Sequence, residues 1–207
     1  IEVCLVGSEM CIRDRTNKTL KKMAENVTKV TKDILPDQKL DCVAYGCTSG
    51  TIASGYKSIY KKINIAKPNT KVTTPITSAI NAFKTLKINK LSIFTPYTNE
   101  INQSLINYFK NKNIAIDELF YLDIASDLDI GKVDPNYLFD VLTKKNLSQS
   151  NVLFISCTAL PVLSILQDLE NKLGKVILSS NQTLIWDTLR QIKYKSKIKG
   201  FGELFKN

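Results

Sequence analysis

Two cysteine–threonine pairs are the residues of this sequence best suited to chemistry. The stretch LDCVAYGCTSGTIASG (40–55) contains Cys47, and the stretch NVLFISCTALPVLSIL (151–166) contains Cys157. Each cysteine follows an apolar run typical of a buried strand and precedes a run typical of a helix. A thiol at such a junction lies near unpaired N–H groups and the positive end of the helix dipole, which favour the reactive thiolate. The two pairs therefore predict a two-thiol catalytic site.

The alternative is that each cysteine is only a small apolar residue at the end of a buried strand. For one such junction this simpler explanation is the better one. Two junctions with the same Cys-Thr ending favour catalysis, because the chain has no histidine and hence no Ser-His-Asp or Cys-His arrangement. A third cysteine, Cys42, lies within a strand pattern, and we expect it to belong to the core.

Hydroxyl groups beside both thiols could hold an anion. Thr48, Ser49 and Thr158 adjoin the predicted helix starts, where hydroxyl and N–H donors could bind a carboxylate. Tyr97 follows another strand end in FTPYTNE, and its phenol either donates to the same anion or packs in a turn.

The residues after the last strand have two interpretations. Ser179, Ser180 and Asn181 could contact a substrate, or they could cap the last helix. The glycines match no dinucleotide fingerprint, and no phosphate-loop signature occurs, so we expect no nucleotide cofactor. The absence of histidine also removes the common zinc sites, and we expect no metal.

Composition limits the partners. No apolar run approaches the roughly 20 residues that cross a bilayer, so we expect no membrane span. The odd count of five cysteines predicts reduced thiols in the cytoplasm. The net charge of +10 is spread along the chain without a basic block, which favours attraction of a small dianionic substrate over nucleic-acid binding.

Helical and strand patterns alternate from Thr16 onward. Such alternation predicts an α/β fold with mainly parallel sheets, in which ligands bind beyond the carboxyl ends of the strands. Two similar halves, each with a Cys-Thr junction, predict two lobes that face a shared cleft. Lobe one comprises residues 16–72 plus 178–207, and lobe two comprises residues 73–177.

Several helix signals are specific. Apolar residues at helical spacing predict helices over residues 19–35 and 49–63, and Ile101, Leu105 and Phe109 share one helical face. Asp134 and Pro135 predict a helix start, and Gly174 closes a helix that begins near residue 160.

The first fifteen residues differ from the rest. They contain no lysine or asparagine, and GSEMCIRDR resembles translated sequencing-adapter sequence. We expect residues 1–15 to be non-native and the first strand of lobe one to be missing. The alternative is an ordinary short strand, EVCLV.

Several segments resemble a known superfamily: VAYGCTSGT, FTPYTNEIN, ISCTALPVLSILQDLENKLGKVILSSNQTLIWDTLR and KGFGELF. They are similar to the aspartate/glutamate racemases, and most similar to the branch of maleate cis-trans isomerase, arylmalonate decarboxylase and the ectoine-utilisation protein EutA. The similarity covers about residues 16–205. It implies two pseudo-symmetric Rossmann-like lobes with four-stranded parallel sheets, an active site between them, no cofactor, and an assembly of two or more copies.

The resemblance also implies residue roles. Cys47 and Cys157 occupy the positions of the family's two thiols. In maleate isomerase-like enzymes the first thiol attacks the alkene carbon and the second exchanges a proton. In racemases the two thiols act on opposite faces of a carbon beside a carboxylate. Arylmalonate decarboxylases keep only the second thiol, so decarboxylation is the least favoured of these outcomes.

The same resemblance assigns substrate-carboxylate binding to Thr48, Ser49, Tyr97 and Thr158. The chain departs from the family in two places. The family's first strand and the following loop, which carries a substrate-binding asparagine, are missing before Thr16. Maleate isomerases also have an asparagine near SDLDIG, where this chain has Asp127, and an acid there would repel a carboxylate.

We therefore expect a cofactor-independent two-cysteine isomerase or racemase that acts beside a carboxylate of a small amino- or dicarboxylic acid. Ectoine catabolism and maleate isomerisation are both open as its role. The alternative is a non-catalytic small-acid-binding protein on the same fold. Loss of the first strand and loop could leave the chain inactive.

Overall fold

The computed structural model describes residues 3–6, 16–145, 147 and 150–207. Its strands form two parallel sheets, and most connections between strands contain helices. The strands are β1 (Val3–Val6), β2 (Cys42–Tyr45), β3 (Lys71–Thr73), β4 (Lys90–Thr95), β5 (Ala115–Tyr121), β6 (Val152–Ile155) and β7 (Val176–Ser179). The helices are α1 (Asn17–Glu25), α2 (Val27–Asp33), α3 (Thr48–Ser54), α4 (Tyr56–Ala66), α5 (Pro75–Thr85), α6 (Asn99–Lys110), α7 (Asp127–Gly131), α8 (Pro135–Thr143), α9 (Leu166–Leu173) and α10 (Ser180–Gln191).

The first sheet has the order β1-β2-β3, with Cys42 opposite Val3 on one side and Lys71 on the other. It contains three described strands, whereas the resemblance implies four for a complete lobe. The strand β1 lies at the edge where we expected the first strand to be missing, as in the short-strand alternative. Residues 7–15, with Cys11, lie outside the described residues, and the non-native origin of residues 1–15 stays a prediction.

The second sheet has the order β5-β4-β6-β7, and all its strand pairs are parallel. Ser92 pairs with Leu153, and Val152 with Val176, which aligns the carboxyl ends of β4, β6 and β7. The predicted α/β fold with two parallel sheets is confirmed, and the second sheet has the four strands expected.

Two predicted helices are interrupted. The run over residues 19–35 is divided between α1 and α2, because Asn26 (φ −82°, ψ −7°) ends one helix and caps the next. The run over residues 49–63 divides at Gly55, whose φ of 77° suits glycine far better than other residues. Hydrophobic spacing alone did not reveal either break.

Other helix signals are confirmed. The Asp134 carboxylate accepts a hydrogen bond from the Asn136 N–H at 2.8 Å, and Gly174 ends α9 with a φ of 61°. The helix expected from residue 160 begins later, as a 3-10 turn (Leu163–Ile165) followed by α9. No helix in the described part of the chain is both long and apolar enough to cross a membrane.

Aromatic packing holds α5 and α6 on the second sheet. The ring of Phe154 on β6 meets Phe83 of α5 at 5.4 Å and Phe109 of α6 at 5.9 Å, both nearly edge-on. Such pairs add about 1 kcal/mol each beyond the apolar area that they bury. The α6 face of Ile101, Leu105 and Phe109 is buried, as the spacing predicts.

The chain passes between the sheets twice, and the helices at the two passages pack together. α5 leads from β3 to the second sheet, whereas α10 follows β7 and packs on α5, β2 and β3. The buried Asp187 carboxylate of α10 accepts hydrogen bonds from the Ser78 hydroxyl at 2.8 Å and the Asn81 amide at 3.2 Å.

These contacts cross the expected lobe boundaries. Residues 178–179 belong to β7 of the second sheet, and α5 packs on a helix assigned to lobe one. The division into lobes at those residues stays a prediction.

Gly50 allows α3 to lie close to α1. A methyl group at this position would lie 2.6 Å from Met23 Cε, 2.8 Å from the Tyr45 hydroxyl oxygen and 2.9 Å from Cys47 Sγ. All three distances are shorter than real carbon contacts. A side chain at position 50 must therefore displace Met23, Tyr45 or Cys47.

Gly50→Ala should be less stable than Gly131→Ala by about 1–3 kcal/mol, the usual cost of overpacking. Gly131 is also helical, but the nearest atom to a methyl group there, the Ala159 carbonyl oxygen, is 4.0 Å away. Since both substitutions gain similar helix propensity, the difference measures the clash. Urea unfolding of the two variants gives this difference, and equal stabilities would contradict the packing described here.

Candidate active site

Cys47 begins α3. Its backbone is extended (φ −134°, ψ 112°), and its sulfur accepts a hydrogen bond from the Gly50 N–H at 3.2 Å. The sulfur thus occupies the place that a serine or aspartate oxygen takes at most helix starts. The hydroxyl of Ser49 lies 3.8 Å from the same sulfur. Cys47 is partly exposed, and its sulfur has polar neighbours in the Gly50 N–H and the Ser49 hydroxyl.

Cys157 lies two residues beyond β6 in an unusual backbone conformation. Its φ is +144°, a region that residues other than glycine occupy only when their surroundings hold them there. Its N–H donates to Ser180 Oγ at 3.1 Å, and its sulfur accepts from the Ala159 N–H at 3.4 Å. Only 1% of Cys157 is exposed. The second thiol is therefore enclosed, but polar groups contact it.

Hydrogen bonds join the two cysteine junctions. The Thr158 hydroxyl donates to the Gly46 carbonyl oxygen at 2.7 Å, and Gly46 directly precedes Cys47. The Thr48 hydroxyl donates to Ser180 Oγ at 3.0 Å, the same oxygen that accepts the Cys157 N–H. The structure thus brings together both Cys-Thr pairs, which are about 110 residues apart in sequence.

These bonds limit what the two threonines can offer a ligand. The hydroxyl hydrogens of Thr48 and Thr158 are both used within the protein. As the first residue of α3, Thr48 has a backbone N–H with no partner inside the helix, which is a suitable donor for an anion. The assignment of Thr48, Ser49 and Thr158 to substrate binding stays a prediction.

Tyr97 lies beyond the end of β4 and is 1% exposed. Its N–H donates to Thr95 Oγ1 at 3.2 Å, and its carbonyl oxygen accepts from Asn102 Nδ2 at 3.0 Å. Thr95 in turn donates to Asn102 Oδ1 at 2.6 Å. The backbone of Tyr97 is therefore fixed at the same sheet edge as Cys157, and its role in substrate binding also stays a prediction.

The residues at the end of β7 and the start of α10 have two different roles. Ser179 caps α10, since its Oγ accepts from the Gln182 N–H at 3.1 Å and its N–H donates to the Gln182 side chain at 3.2 Å. Ser180 binds both junctions, and the Asn181 amide donates to the Thr158 carbonyl oxygen at 2.9 Å. The S-x-x-Q spacing of residues 179–182 is that of a capping box, so the sequence alone could have assigned the capping role to Ser179 and not to Ser180.

Cys42 belongs to the core, as expected. It is completely buried, and its sulfur lies 4.0 Å from Thr73 Oγ1. Burial raises the pKa of this thiol to about 11, so it stays protonated at neutral pH. Among the described residues, no group of three or more His, Cys, Asp or Glu side chains could hold a metal ion.

Tyr45, which the sequence analysis did not single out, lies next to Cys47. The residue is completely buried, and in the described part of the chain its hydroxyl has no hydrogen-bond partner. Burial raises the pKa of the phenol, and the nearby Cys47 adds to the effect, so the hydroxyl stays protonated. A single point beside Gly50 lies within 3 Å of both the hydroxyl oxygen and Cys47 Sγ. A neutral donor is thus available beside the first thiol.

Tyr45→Phe should raise the free energy of unfolding by about 1 kcal/mol, because it removes a buried hydroxyl that lacks a partner. Tyr56→Phe is the matched control: the Tyr56 hydroxyl donates to the Val72 carbonyl oxygen at 3.1 Å. Loss of that bond should lower stability by about 1 kcal/mol. Chemical denaturation compares the two, and a similar loss in both variants would show that Tyr45 has a partner.

Known proteins are similar to nearly the whole chain. A maleate isomerase of Geobacillus stearothermophilus is 27% identical over 208 aligned residues, which cover 96% of this chain and 82% of that protein. The arylmalonate decarboxylase of Bordetella bronchiseptica is 24% identical over 136 residues, covering 64% of this chain and 57% of that protein.

Solved structures establish the same fold. The crystal structure of a maleate isomerase variant from Pseudomonas putida S16 with maleate gives a TM-score of 0.89 at 16% identity, covering 99% of this chain and 96% of that chain. A cysteine-to-serine variant of Nocardia farcinica maleate cis-trans isomerase, with a covalently bound succinylcysteine intermediate, gives 0.86 at 15% identity, covering 94% and 82%. A family model described as arylmalonate decarboxylase matches residues 9–205. The chain therefore belongs to the arylmalonate decarboxylase family, within the aspartate/glutamate racemase-like superfamily that its two Cys-Thr junctions indicated.

Proposed function

We propose that this protein is a cofactor-independent maleate cis-trans isomerase, with Cys47 as the nucleophile and Cys157 as the proton donor and acceptor. The observation that carries this proposal is the set of hydrogen bonds joining the two Cys-Thr junctions. Two thiols on neighbouring, mutually bonded segments suit a reaction that needs a nucleophile and an acid at adjacent carbons.

The reaction balances with these two thiols alone. The Cys47 thiolate attacks one alkene carbon and forms a C–S bond, while the second carbon takes the proton of Cys157. Rotation about what is now a single C–C bond follows. The Cys157 thiolate then removes the proton and becomes a thiol again, the C–S electron pair returns to Cys47 as the thiolate, and the trans alkene leaves. The covalent intermediate is a succinyl thioether, the kind of species bound in the Nocardia relative.

The different exposures of the two thiols support their different roles. A nucleophile must meet the incoming substrate, and Cys47 is the more exposed of the two. A proton carrier should not exchange its proton with water between the two steps, and Cys157 is enclosed. Each sulfur also accepts a backbone N–H hydrogen bond, from Gly50 and from Ala159 respectively, which fixes the direction in which each thiol points.

Cys157→Ser should lower turnover of maleate by about 10²–10⁴-fold, the usual contribution of an acid–base group, and Cys47→Ser should lower it further. Cys42→Ala is the control. It removes a buried thiol from β2, the strand that leads to Cys47, and should leave turnover near that of the wild type. The assay incubates each variant with maleate, aspartate, glutamate and ectoine-derived acids, and NMR measures the conversion of each acid. Full activity of Cys157→Ser would end the proposal.

The panel also separates the other hypotheses. Racemisation of aspartate or glutamate would assign the same two thiols to a racemase, and turnover of an ectoine-derived acid would assign them to ectoine catabolism. A non-catalytic binding protein would be stabilised by one of these acids without turnover, and the stabilisation would survive loss of either thiol. Decarboxylation is disfavoured because both thiols are present.

Asp127 is the residue that fits maleate least well. It begins α7, whose preceding segment is held beside Tyr97 by a hydrogen bond from the Ile124 N–H to the Pro96 carbonyl oxygen at 2.8 Å. The other end of α7, at Gly131, approaches the Ala159 carbonyl oxygen beside Cys157. An acid at this edge of the site would weaken the binding of a dianion.

Asp127→Asn should lower the KM for maleate by about fivefold, since it removes a like charge near a substrate carboxylate. Asp129→Asn, on the same short helix, is the control. Asp129 is exposed, and the Lys132 ammonium beside it lowers the pKa of its carboxyl group. Initial-rate kinetics of the two variants should separate them, and an equal change in KM would place Asp127 outside the site.

The remaining partner assignments belong to the same proposal. We expect a homo-oligomer in the cytosol that acts on a small carboxylate and has no nucleic-acid partner. The half-buried strand β5 supports assembly, because among the described strands it lies at the edge of the second sheet, pairing only with β4, and Tyr121 at its end is exposed.

A further inference from the structure

The side chain of Ser180 forms hydrogen bonds with both cysteine junctions. Its oxygen accepts from the Thr48 hydroxyl at 3.0 Å and from the Cys157 N–H at 3.1 Å. Ser180 itself is completely buried and belongs to neither junction, since it begins α10 after β7. One hydroxyl oxygen therefore connects the segments that carry the two thiols.

The start of α10 does not require this hydroxyl. Ser179 and Gln182 already form a complete capping box, so the N–H groups of these two residues have partners without the Ser180 side chain. The hydroxyl of Thr183 bonds back to the carbonyl oxygen of Ser179 at 2.9 Å. The Ser180 hydroxyl is thus available for contacts outside its own helix.

Cys157 is the residue that needs such a contact. Its φ of +144° is strained for a residue with a side chain, and the strain persists only if hydrogen bonds on both sides fix the backbone. Before it, the Ser156 N–H donates to the Phe94 carbonyl oxygen at 2.8 Å. After it, the Asn181 amide donates to the Thr158 carbonyl oxygen at 2.9 Å. The bond to Ser180 holds the backbone N–H of Cys157 itself.

We propose that Ser180 is a positioning residue that fixes the backbone of Cys157 and ties it to the junction of Cys47 through Thr48. Its effect on turnover rests on the proposed isomerase function, whereas its effect on the Cys157 backbone does not. An alanine keeps the helix start but removes the oxygen that accepts both bonds, so neither junction is held to the other at this point.

Two measurements on Ser180→Ala test this role. Amide hydrogen exchange by ¹H–¹⁵N NMR should show the Cys157 N–H exchanging about tenfold faster or more than in the wild type, because its acceptor is gone. Turnover of maleate should fall by about tenfold or more, since a displaced catalytic thiol loses the geometry of proton transfer. The exchange of the Leu153 N–H, within β6, serves as the reference for global opening.

Ser179→Ala is the matched control, because it removes a buried serine hydroxyl from the same helix start. It should lower the melting temperature through loss of the cap, yet leave both turnover and the relative exchange of the Cys157 N–H near the wild-type values. If Ser180→Ala does not fold, Thr48→Val removes the other arm and should raise Cys157 exchange about threefold or more, while Thr48→Ser should preserve protection.

Unchanged Cys157 exchange in Ser180→Ala, or the same change in Ser179→Ala, would overturn the proposal and leave Ser180 a purely structural residue. Faster exchange of the Cys157 N–H with unchanged turnover would also overturn the proposal, because Ser180 would then fix the backbone without positioning the thiol for catalysis. If wild-type protein turns over none of the acids, the isomerase proposal fails by itself, and the exchange experiment still decides whether Ser180 fixes Cys157.

Discussion

The arrangement of the site depends on the hydrogen bonds that cross between the two Cys-Thr junctions. Parallel strands place their carboxyl ends on one edge of a sheet, but this rule does not determine how two separate sheets face each other. Here Thr158 bonds to the backbone before Cys47, and Thr48 bonds to the oxygen that holds Cys157. Each threonine of a Cys-Thr pair thus serves the opposite half of the molecule. The threonines are explained by this cross-connection as well as by any contact with substrate.

Much of the fold was predictable because it follows from local patterns. Alternating apolar runs identified the parallel sheets, Gly174 and Asp134 marked helix ends, and the spacing of residues 101–109 identified a buried helical face. The family followed from short motifs around the two thiols and extends over nearly the whole chain. These signals are local in sequence, so a single chain is enough to recognise them.

The rest depends on tertiary contacts that leave little local trace. Tyr45 has the appearance of an ordinary strand residue, and only the structure shows that its hydroxyl and Cys47 Sγ both lie against Gly50, where a side chain would meet them. The strained φ of Cys157 is also invisible, since a cysteine, unlike a glycine, carries no expectation of such a conformation. The strand β1 was only the alternative interpretation of its segment, because the composition of residues 1–15 is unlike that of the rest of the chain.

The pairing of α5 with α10 has a consequence for the spacing of the two sulfurs. Flexible loops between the sheets would let the halves swing, whereas two helices packed side by side around Asp187 resist such a motion. The distance between the two thiols is therefore held by this helix interface, on which neither cysteine lies, as well as by the hydrogen bonds between the junctions. Evolution can adjust that distance through residues such as Ser78, and so tune the chemistry without altering any group that meets the reactant.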